Sequence, residues 1–226
     1  MNIFEIEQIS LPIEGSEDRF PVNRVYCVGR NYAEHTKEMG GDHEREPPFY
    51  FIKSTDTLLA NGGEVKYPSK TNNLQHEVEL VVAIYKSGKD ILQENALNHV
   101  FGYAVGIDLT RRDLQSEAKK LGRPWDTGKT FEQAAPITAI QPVIKIGHPN
   151  KGKIHLKVNS SIRQIGDISE MIWSVSAAIA NLSTYFELVA GDLLFTGTPA
   201  GVGEILPGDN VMVEIEGVGA LEINVI

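Results

Sequence analysis

The 226-residue sequence has little cysteine, no excess of basic charge and no long hydrophobic run. Cys27 is its one cysteine, so the chain can form no internal disulfide, and we expect it in the reducing cytoplasm. Cys27 lies in the apolar run VYCV and is expected to be a core residue. The formal net charge of −9 argues against nucleic-acid partners and anionic membranes, because both attract a clustered basic face.

Signals for a membrane or for secretion are also missing. No apolar run approaches the roughly 20 residues that cross a bilayer as a helix. The first residues, MNIFEIEQISLPIEG, have neither a basic segment before an apolar stretch nor a small-residue cleavage pattern. We therefore expect a cytoplasmic protein without a membrane partner.

Short β-type segments dominate the sequence, and regular alternation of strands with helices is missing, so a doubly wound parallel sheet is not expected. We predict a mainly β fold with a few helices (α+β), in a single catalytic domain over residues 1–226. The last segment is predicted to form a hairpin about Gly217 and Gly219. The predicted strands are RVYCVGR, FYFIK, VELVVAIY, FGYAVGIDL, PVIKI, KIHLKVN, DLLFTG and VMVEIEGVGALEINVI.

Three helices are predicted against this β background. The first is short, with Asn31 as its cap and Glu34 three residues later. The second follows Thr110 and places Leu114, Ala118 and Leu121 in one apolar stripe. The third begins after Ser169, and the residues on its apolar face are Met171, Val175, Ala178, Leu182 and Tyr185.

The stretch GRPWDTGKT, residues 122–130, looks like the phosphate-binding loop of a nucleotide hydrolase. That loop needs four residues between its first glycine and the Gly-Lys pair, whereas five separate Gly122 from Gly128. Gly122 also follows a predicted helix, where a C-terminal cap belongs, and Pro124 stands just beyond it. Nucleotide binding is therefore the weakest hypothesis, and Lys129 requires another role.

Three carboxylates indicate a metal site. Glu77 and Glu79 are two residues apart on a predicted strand and point to one face, and Asp108 ends the apolar strand YAVGID. Like charges on an apolar strand need a neutralising cation, although an exposed edge strand with solvated glutamates is the alternative. A set of oxygen ligands suits Mg²⁺ or Mn²⁺, with Ca²⁺ as a possible substitute. His76 faces the opposite side of the strand and is not predicted to be a ligand.

A second pair with catalytic potential is His35 and Glu38, which lie three residues apart on the first helix and share a face. A carboxylate bound to one imidazole nitrogen fixes the tautomer and makes the other nitrogen a better base. Such a pair can activate water, although most pairs of this kind are surface pairs. Glu34 points elsewhere and is interpreted as a capping residue.

With these residues in place, the chain resembles the fumarylacetoacetate hydrolase superfamily, particularly its short acylpyruvate and fumarylpyruvate hydrolases. The resemblance covers about residues 24–204, and the order of its six blocks makes it specific. The blocks are VGRNYAEHTKEM, HEVELVV, GYAVGIDLTRRDLQ, GRPWDTGKTFEQAAP, LKVNSSIRQIGD and DLLFTGTPAGVG.

The resemblance implies a mixed β-sandwich or β-roll that usually forms a homodimer. Glu77, Glu79 and Asp108 fall on the family's metal-ligand positions, and His35 and Glu38 on the pair thought to activate water. Lys129 falls on an active-site lysine that contacts substrate oxygen near the metal. The family often has alanine before this lysine, so Gly128 predicts a looser loop. Substrate-binding positions are implied for Arg30, Arg112, Gln115 and Thr198.

We therefore expect a metal-dependent hydrolase that cleaves a C–C bond in a 3-acylpyruvate, most plausibly fumarylpyruvate to fumarate and pyruvate. The substrate would be a small 2-oxo acid, and residues 30–48, polar and with Gly40 and Gly41 in the middle, would close over it as a lid. Oxaloacetate decarboxylation or enol–keto tautomerisation at the same site is the nearest alternative. A non-catalytic, metal-stabilised binding protein is the alternative from another class.

Overall fold

Strands form most of the regular structure in the computed structural model, which describes residues 3–38 and 47–226. In chain order they are β1 (Ser10–Pro12), β2 (Arg19–Pro21), β3 (Arg24–Gly29), β4 (Phe49–Lys53), β5 (Leu58–Ala60), β6 (Gly63–Val65), β7 (Leu74–His76), β8 (Val78–Ile84), β9 (Val100–Ile107), β10 (Thr110–Arg111), β11 (Ala135–Ile137), β12 (Gln141–Pro142), β13 (Lys153–Val158), β14 (Ser161–Asp167), β15 (Asp192–Phe195), β16 (Gly203–Glu204), β17 (Asn210–Ile215) and β18 (Gly219–Val225).

Helices are fewer than strands over the same ranges. The α-helices are α1 (Ala33–Glu38), α2 (Arg112–Leu121), α3 (Asp126–Lys129), α4 (Val143–Ile146) and α5 (Val175–Tyr185). Three 3₁₀ segments add Thr55–Thr57, Gln93–His99 and Ile168–Glu170. None of the described helices is both long and apolar enough to cross a bilayer.

A mixed sheet of eight strands is the centre of the fold, and it curls into a half-barrel. Its order is β4-β3-β15-β8-β9-β11-β5, with β12 added beside β9. Pairs β3/β15 and β5/β11 are parallel and the others antiparallel, so the sheet is mixed. A second sheet, ordered β14-β13-β17-β18-β6, packs against one face of it. The predicted mainly β fold with few helices is confirmed.

Strand β8, VELVVAI, lies in the middle of the large sheet and is buried along its whole length. A near-continuous apolar run is what a strand covered on both faces requires. Leu80 and Val82 point to a core shared with the five-stranded sheet and α5. Val81 and Ala83 point the other way, into the inside of the half-barrel, where Cys27 and Phe195 are also buried. The prediction that Cys27 is a core residue is confirmed.

The strand directions bring several chain segments to one edge of this sheet. Strand β8 is antiparallel to both β9 and β15, and β15 is parallel to β3. The start of β8 therefore lies beside the ends of β9, β15 and β3. Glu79 shares the inward face of β8 with Val81 and is paired with Gly106 of β9. Polar residues at this edge stand directly above the apolar interior of the half-barrel.

Most of the predicted strands form, and so does the closing hairpin, in which Ile215 lies opposite Gly219. The strand predicted for PVIKI is wrong, because Val143–Ile146 form α4. Pro142 precedes this helix, and Gly147, with φ of 70°, follows it. Proline at the start and glycine just past the end are common in helices, and here these signals outweigh the strand preference of the β-branched residues between them.

Asn31 does not cap α1, contrary to the prediction. Its side-chain amide donates to the carbonyl oxygens of Trp173 at 2.9 Å and Thr196 at 2.8 Å, and its oxygen accepts from the Trp173 N–H at 2.7 Å. Asn31 is fully buried, so these three bonds satisfy a polar group that would otherwise be costly. They tie the segment before α1 to the segment before α5 and to the end of β15.

The inward face of α2 also differs from the prediction. Leu121 is 50% exposed, whereas Arg112, Gln115 and Ala118 are buried. The polar side of this helix faces inward because the charged cluster described below lies there. Helix α2 ends as predicted, with Gly122 in the left-handed conformation at φ of 63°.

The third predicted helix begins later than expected, at Val175, and is capped by Ser174, whose hydroxyl accepts from the Ala177 N–H at 3.3 Å. Tyr185, expected on its apolar face, is 61% exposed. The single-domain assignment and the lid over residues 30–48 stay predictions. Residues 39–46 of that lid lie outside the described part of the chain.

Candidate active site

Three acidic side chains meet at the sheet edge. Glu77 lies between β7 and β8, Glu79 is the second residue of β8, and Asp108 directly follows β9. All three are buried, and one oxygen of each lies within 4.8 Å of the others. The structure therefore brings together the carboxylates selected from sequence spacing. It places them inside the protein and not on a solvated edge strand.

Two cationic side chains contact this cluster. Lys129 Nζ donates to Glu77 Oε2 at 2.8 Å and to Asp108 Oδ2 at 2.6 Å. Arg112 pairs with the other oxygen of Glu77 and also donates to Gln75 Oε1 at 2.7 Å and Gln115 Oε1 at 2.5 Å. Charge-assisted bonds of this kind orient a carboxylate as well as neutralise it. Glu77 is thus held at both oxygens, by Arg112 and by Lys129.

A third cation, Lys53 at the end of β4, was not identified from the sequence. Its ammonium is fully buried and donates to the carbonyl oxygens of Leu109 at 3.2 Å, Ala134 at 3.1 Å and Lys129. It also lies 2.8 Å from Asp108 Oδ1 as an ion pair. Lys53 therefore connects the loop after β9, the loop that holds Lys129 and the start of β11. A lysine closing the apolar strand FYFIK is the signal that could have revealed it.

The carboxylates differ in their electrostatic environments. Burial raises the pKa of Glu79 well above its ordinary value, and the charges of Asp108 and Glu77 raise it further. Burial also opposes ionisation of Glu77, but Lys129 and Arg112 outweigh it, so the pKa of Glu77 is lowered. Glu79 accepts a hydrogen bond from the Gly197 N–H at 2.7 Å. It is the carboxylate of the cluster whose charge is least compensated.

The donor set suits a divalent metal. Carboxylate oxygens are the ligands that Mg²⁺ and Mn²⁺ prefer. Lysine has three N–H donors, and those of Lys53 go to three carbonyl oxygens. Asp108 Oδ1 consequently accepts no hydrogen bond within the described residues. A cation in contact with all three side chains would satisfy Asp108 Oδ1 and compensate Glu79, so this cluster can hold a metal ion.

His35 and Glu38 share a face of α1 and contact each other, as their helical spacing predicts. His35 Nδ1 is 3.2 Å from Glu38 Oε2, and that oxygen also accepts from the Gly201 N–H at 3.2 Å. His35 is buried and lines the cleft together with the three carboxylates. Burial lowers the pKa of His35, while Glu77 and Glu38 act in the opposite direction. The imidazole is therefore neutral near pH 7, with a carboxylate fixing its Nδ1 side.

The four residues implied as substrate contacts all border this cleft, namely Arg30, Arg112, Gln115 and Thr198. Arg112 is engaged with Glu77, and Gln115 supports Arg112. Thr198 accepts from Gln164 Nε2 at 2.8 Å, which leaves its own hydroxyl proton to donate. Arg30 has φ of 58°, an uncommon conformation for a residue other than glycine, which sites of chemistry often contain.

His76 is excluded from the cluster, as predicted. Its Nδ1 lies 2.9 Å from Gln164 Oε1, on the opposite side of the chain from the carboxylates. Gln164 in turn donates to Thr198. His76 and Gln164 therefore buttress the loop that carries Thr198 and contribute no atom to the lining of the cleft.

The GRPWDTGKT stretch places Lys129 in the cleft through a short helix, α3, that packs on α2. A Cβ at Gly128 would lie 2.9 Å from the Gln115 backbone nitrogen. Glycine therefore allows the close contact between the two helices, and the looser loop expected from Gly128 is wrong. Trp125, which also lines the cleft, was not singled out from the sequence, although it stands inside this motif.

The fold and the site together define a half-barrel protein in which one cleft contains a buried carboxylate cluster that can hold a metal ion, and a buried histidine. The chain belongs to the fumarylacetoacetate hydrolase family, because residues 24–226 match the family described as "Fumarylacetoacetate (FAA) hydrolase C-terminal". The match continues past residue 204, where the sequence motifs end, through the closing hairpin.

Relatives of two activities are similar to this chain. A fumarylpyruvate hydrolase from Ralstonia sp is 42% identical over 81% of this chain and 95% of its own length. A mitochondrial oxaloacetate tautomerase from Mus musculus is 41% identical over 89% of this chain and 90% of its own. The crystal structure of fumarylpyruvate hydrolase from Pseudomonas aeruginosa in complex with Mn²⁺ and pyruvate has a TM-score of 0.98 and 49% identity, covering 100% of this chain and 99% of that one.

Lys53→Met should lower the free energy of unfolding by about 3–5 kcal/mol, the usual cost of removing one partner of a buried ion pair. It removes one cation paired with Asp108 and leaves three buried carbonyl oxygens without their shared donor. The free energy of unfolding is measured by urea denaturation with circular dichroism. Lys66→Met, on an exposed lysine, is the control and should change stability by less than about 0.5 kcal/mol. A loss for Lys53→Met no larger than the control would contradict this role.

Proposed function

We propose that this protein is a metal-dependent hydrolase that cleaves the C–C bond of a 3-acylpyruvate, with fumarylpyruvate giving fumarate and pyruvate as the leading reaction. The observation that carries the proposal is that His35, whose Nδ1 contacts Glu38, lines the same cleft as the carboxylate cluster and Lys129. The fumarylpyruvate hydrolases among its relatives support it, one of them over nearly the whole chain. The substrate would be a small 2-oxo acid and the assembly a homodimer.

Glu77, Glu79 and Asp108 would hold Mg²⁺ or Mn²⁺, with Ca²⁺ as a possible substitute. A bound divalent ion supplies Lewis-acid stabilisation of the negative charge that C–C cleavage leaves on pyruvate oxygens. Arg112 and Lys129 keep Glu77 ionised, which a ligand must be. The Gly197 N–H fixes the orientation of the Glu79 carboxylate.

His35 would remove a proton from the attacking water. Glu38 accepts a hydrogen bond from the Nδ1–H of His35, so Nε2 would be left as the free base. Because burial lowers the pKa of His35, the neutral and reactive form prevails at neutral pH. The water would attack the distal carbonyl carbon, and the bond between that carbon and the pyruvate unit would then break. His35 would return the proton to the carbon of the departing pyruvate enolate, which becomes the methyl group of pyruvate, and the new carboxyl group of the other product would lose its proton to solvent.

Lys129 would act as a cation and not as a base. Burial opposes its charge, but Asp108 and Glu77 outweigh burial and raise the pKa of Lys129 above its ordinary value. A protonated amine donates hydrogen bonds to oxygen that gains negative charge. Arg112 would position Glu77, while Gln115, Thr198 and Arg30, which border the cleft, would bind the substrate carboxylate.

Oxaloacetate tautomerisation is the second candidate, and the oxaloacetate tautomerases at about 40% identity favour it. It uses the same enolate chemistry without an attacking water, and decarboxylation of oxaloacetate would do so too. The paired His35 could move protons in a tautomerase, so the two reactions must be separated by assay. A non-catalytic binding protein would hold the metal without turning over any of these substrates.

The decisive assay compares fumarylpyruvate, acetylpyruvate and oxaloacetate side by side with Mg²⁺ or Mn²⁺. We expect hydrolysis of fumarylpyruvate, and a fall in kcat of about 10²–10⁴-fold in His35→Ala, the usual contribution of a general base. His155→Ala, on β13 in the second sheet, is the matched control and should keep wild-type activity. Consumption of oxaloacetate without hydrolysis of either acylpyruvate would overturn the hydrolase assignment in favour of the second candidate.

Metal binding is tested on protein stripped with EDTA. Calorimetric titration with Mn²⁺ should show one ion per chain. Glu79→Gln should weaken the affinity for Mn²⁺ by at least about tenfold, because even the loss of a residue that only supports a metal ligand lowers metal affinity by that factor. Glu94→Gln, on an exposed glutamate, is the control. Hydrolysis should stop after stripping and return with added Mn²⁺. Equal Mn²⁺ affinity in Glu79→Gln and wild type would remove the carboxylate cluster from the proposal.

The pH profile tests the role of His35. Because its base form is required and burial lowers its pKa, the acid limb of kcat/KM should lie below pH 6.5, the ordinary histidine value. Glu38 raises the pKa of His35, so Glu38→Gln should move this limb to still lower pH while reducing the maximal rate. The profiles are measured with saturating Mn²⁺. A limb that moves upward in Glu38→Gln would show that another group titrates.

A further inference from the structure

Beside the catalytic cleft lies a second and larger cavity of about 450 Å³. The free volume of the cleft itself is much smaller, about 30 Å³ by the same measure. The two spaces share Phe49, Phe51, Trp125 and Lys129 in their walls. A substrate whose 2-oxo acid end lies at the carboxylate cluster therefore has the larger cavity as the place for its remaining atoms.

The wall between the two spaces is aromatic. Trp125 meets Phe49 edge to face, with ring centroids 5.4 Å apart and planes at 88°. It also packs on Phe51 at 5.8 Å and 54°. Flat, rigid rings of this kind favour a planar, conjugated group over a branched one, because they offer face and edge contacts at low entropic cost. Such a wall suits an unsaturated acyl chain.

Cations surround this aromatic wall, although the chain as a whole has a net charge of −9. The Arg30 guanidinium lies 5.8 Å from the Phe49 ring centroid, and Lys119 Nζ lies 6.0 Å from that of Trp125. Both residues line the inner cleft. A concentration of positive charge around an apolar wall attracts a substrate that has a negative charge at each end.

Arg123 extends this positive charge into the larger cavity, which it lines together with Asp126. Its backbone is fixed at the end of α2, where the Arg123 N–H donates to the Ala118 carbonyl oxygen at 2.8 Å. The residue is exposed at the opening of the cavity. An arginine at this place can form a bidentate contact with a carboxylate that lies at the far end of a bound molecule.

We propose that the larger cavity is the acyl-tail subsite and that Arg123 selects tails that end in a carboxylate. The inference rests on the proposed function and deepens it, since it names the substrate class as 3-acylpyruvates with a planar, unsaturated, carboxylate-ended tail. Trp125 and Phe49 bind the unsaturated part of the tail, and Arg123 binds its terminal carboxylate. Acylpyruvates with a short neutral tail then bind without the Arg123 contact.

The test compares kcat/KM for fumarylpyruvate and acetylpyruvate in wild type and Arg123→Gln. The variant should lower kcat/KM for fumarylpyruvate by about 10- to 100-fold, as expected for a lost charged hydrogen bond. The loss should appear in KM with little change in kcat, because the tail carboxylate does not change during the reaction. Acetylpyruvate should be unaffected. Arg123→Lys should recover part of the loss, and Arg163→Gln, an exposed arginine on β14, is the matched control.

A binding measurement separates this inference from the proposed function. Fumarate is titrated while the fluorescence of Trp125 is followed, with Trp125→Phe reporting the contribution of Trp173. Fumarate should quench the fluorescence of Trp125. Arg123→Gln should weaken the binding of fumarate by about the same 10- to 100-fold as it lowers kcat/KM for fumarylpyruvate. If fumarylpyruvate is hydrolysed but Arg123→Gln changes neither the preference for fumarylpyruvate over acetylpyruvate nor the affinity for fumarate, the proposed subsite is wrong, while the proposed hydrolase function is supported. If no acylpyruvate is hydrolysed, the proposed function fails, and the fumarate titration alone decides the subsite.

Discussion

The burial of three negative charges at one edge of a sheet is the constraint on which the rest of this structure depends. Taking a carboxylate out of water costs several kcal/mol unless cations and hydrogen bonds compensate it. Glu77, Glu79 and Asp108 are nevertheless all buried above the apolar interior of the half-barrel. The surrounding chain supplies positive charge at that point through Lys53, Arg112 and Lys129, and Lys53 also hydrogen-bonds three segments of backbone.

Lys53 both compensates a buried carboxylate and joins separate segments of the chain. Its ammonium pairs with Asp108 and at the same time bonds the carbonyl oxygen of Lys129, the residue that reaches into the cleft. The position of Lys129 is thus set by a second lysine on a distant strand. Gly128 serves the same end, since the lack of a side chain lets α3 approach α2 closely. The site is rigid because the groups that neutralise it are also those that join its loops.

Local pattern predicted the parts of the site that depend on local geometry. The two-residue period of a strand gave Glu77 and Glu79 a common side, and the helical period joined His35 to Glu38. Partners supplied by other segments could not be obtained in this way. Lys53 looks like the solvated end of a strand until the fold closes over it, and Asn31 looks like a helix cap until Trp173 and Thr196 are beside it. In α2 the expected apolar stripe is outweighed by Arg112 and Gln115, because their partners lie on β7 and in the cluster.

The proposed hydrolysis and the alternative tautomerisation would use the same arrangement. Both reactions need positive charge beside an enolate oxygen, which Lys129 and a metal ion held by the carboxylate cluster would supply in either case. Hydrolysis needs in addition a base that faces water and space for a second carbonyl with its substituent. In the proposed reaction His35 with Glu38 would provide the first, and the cavity bounded by Phe49, Trp125 and Arg123 would provide the second. Oxaloacetate, which has a carboxylate in place of an acyl tail, would leave most of that cavity to solvent. The proposed acyl-tail subsite would therefore favour a long acylpyruvate over oxaloacetate.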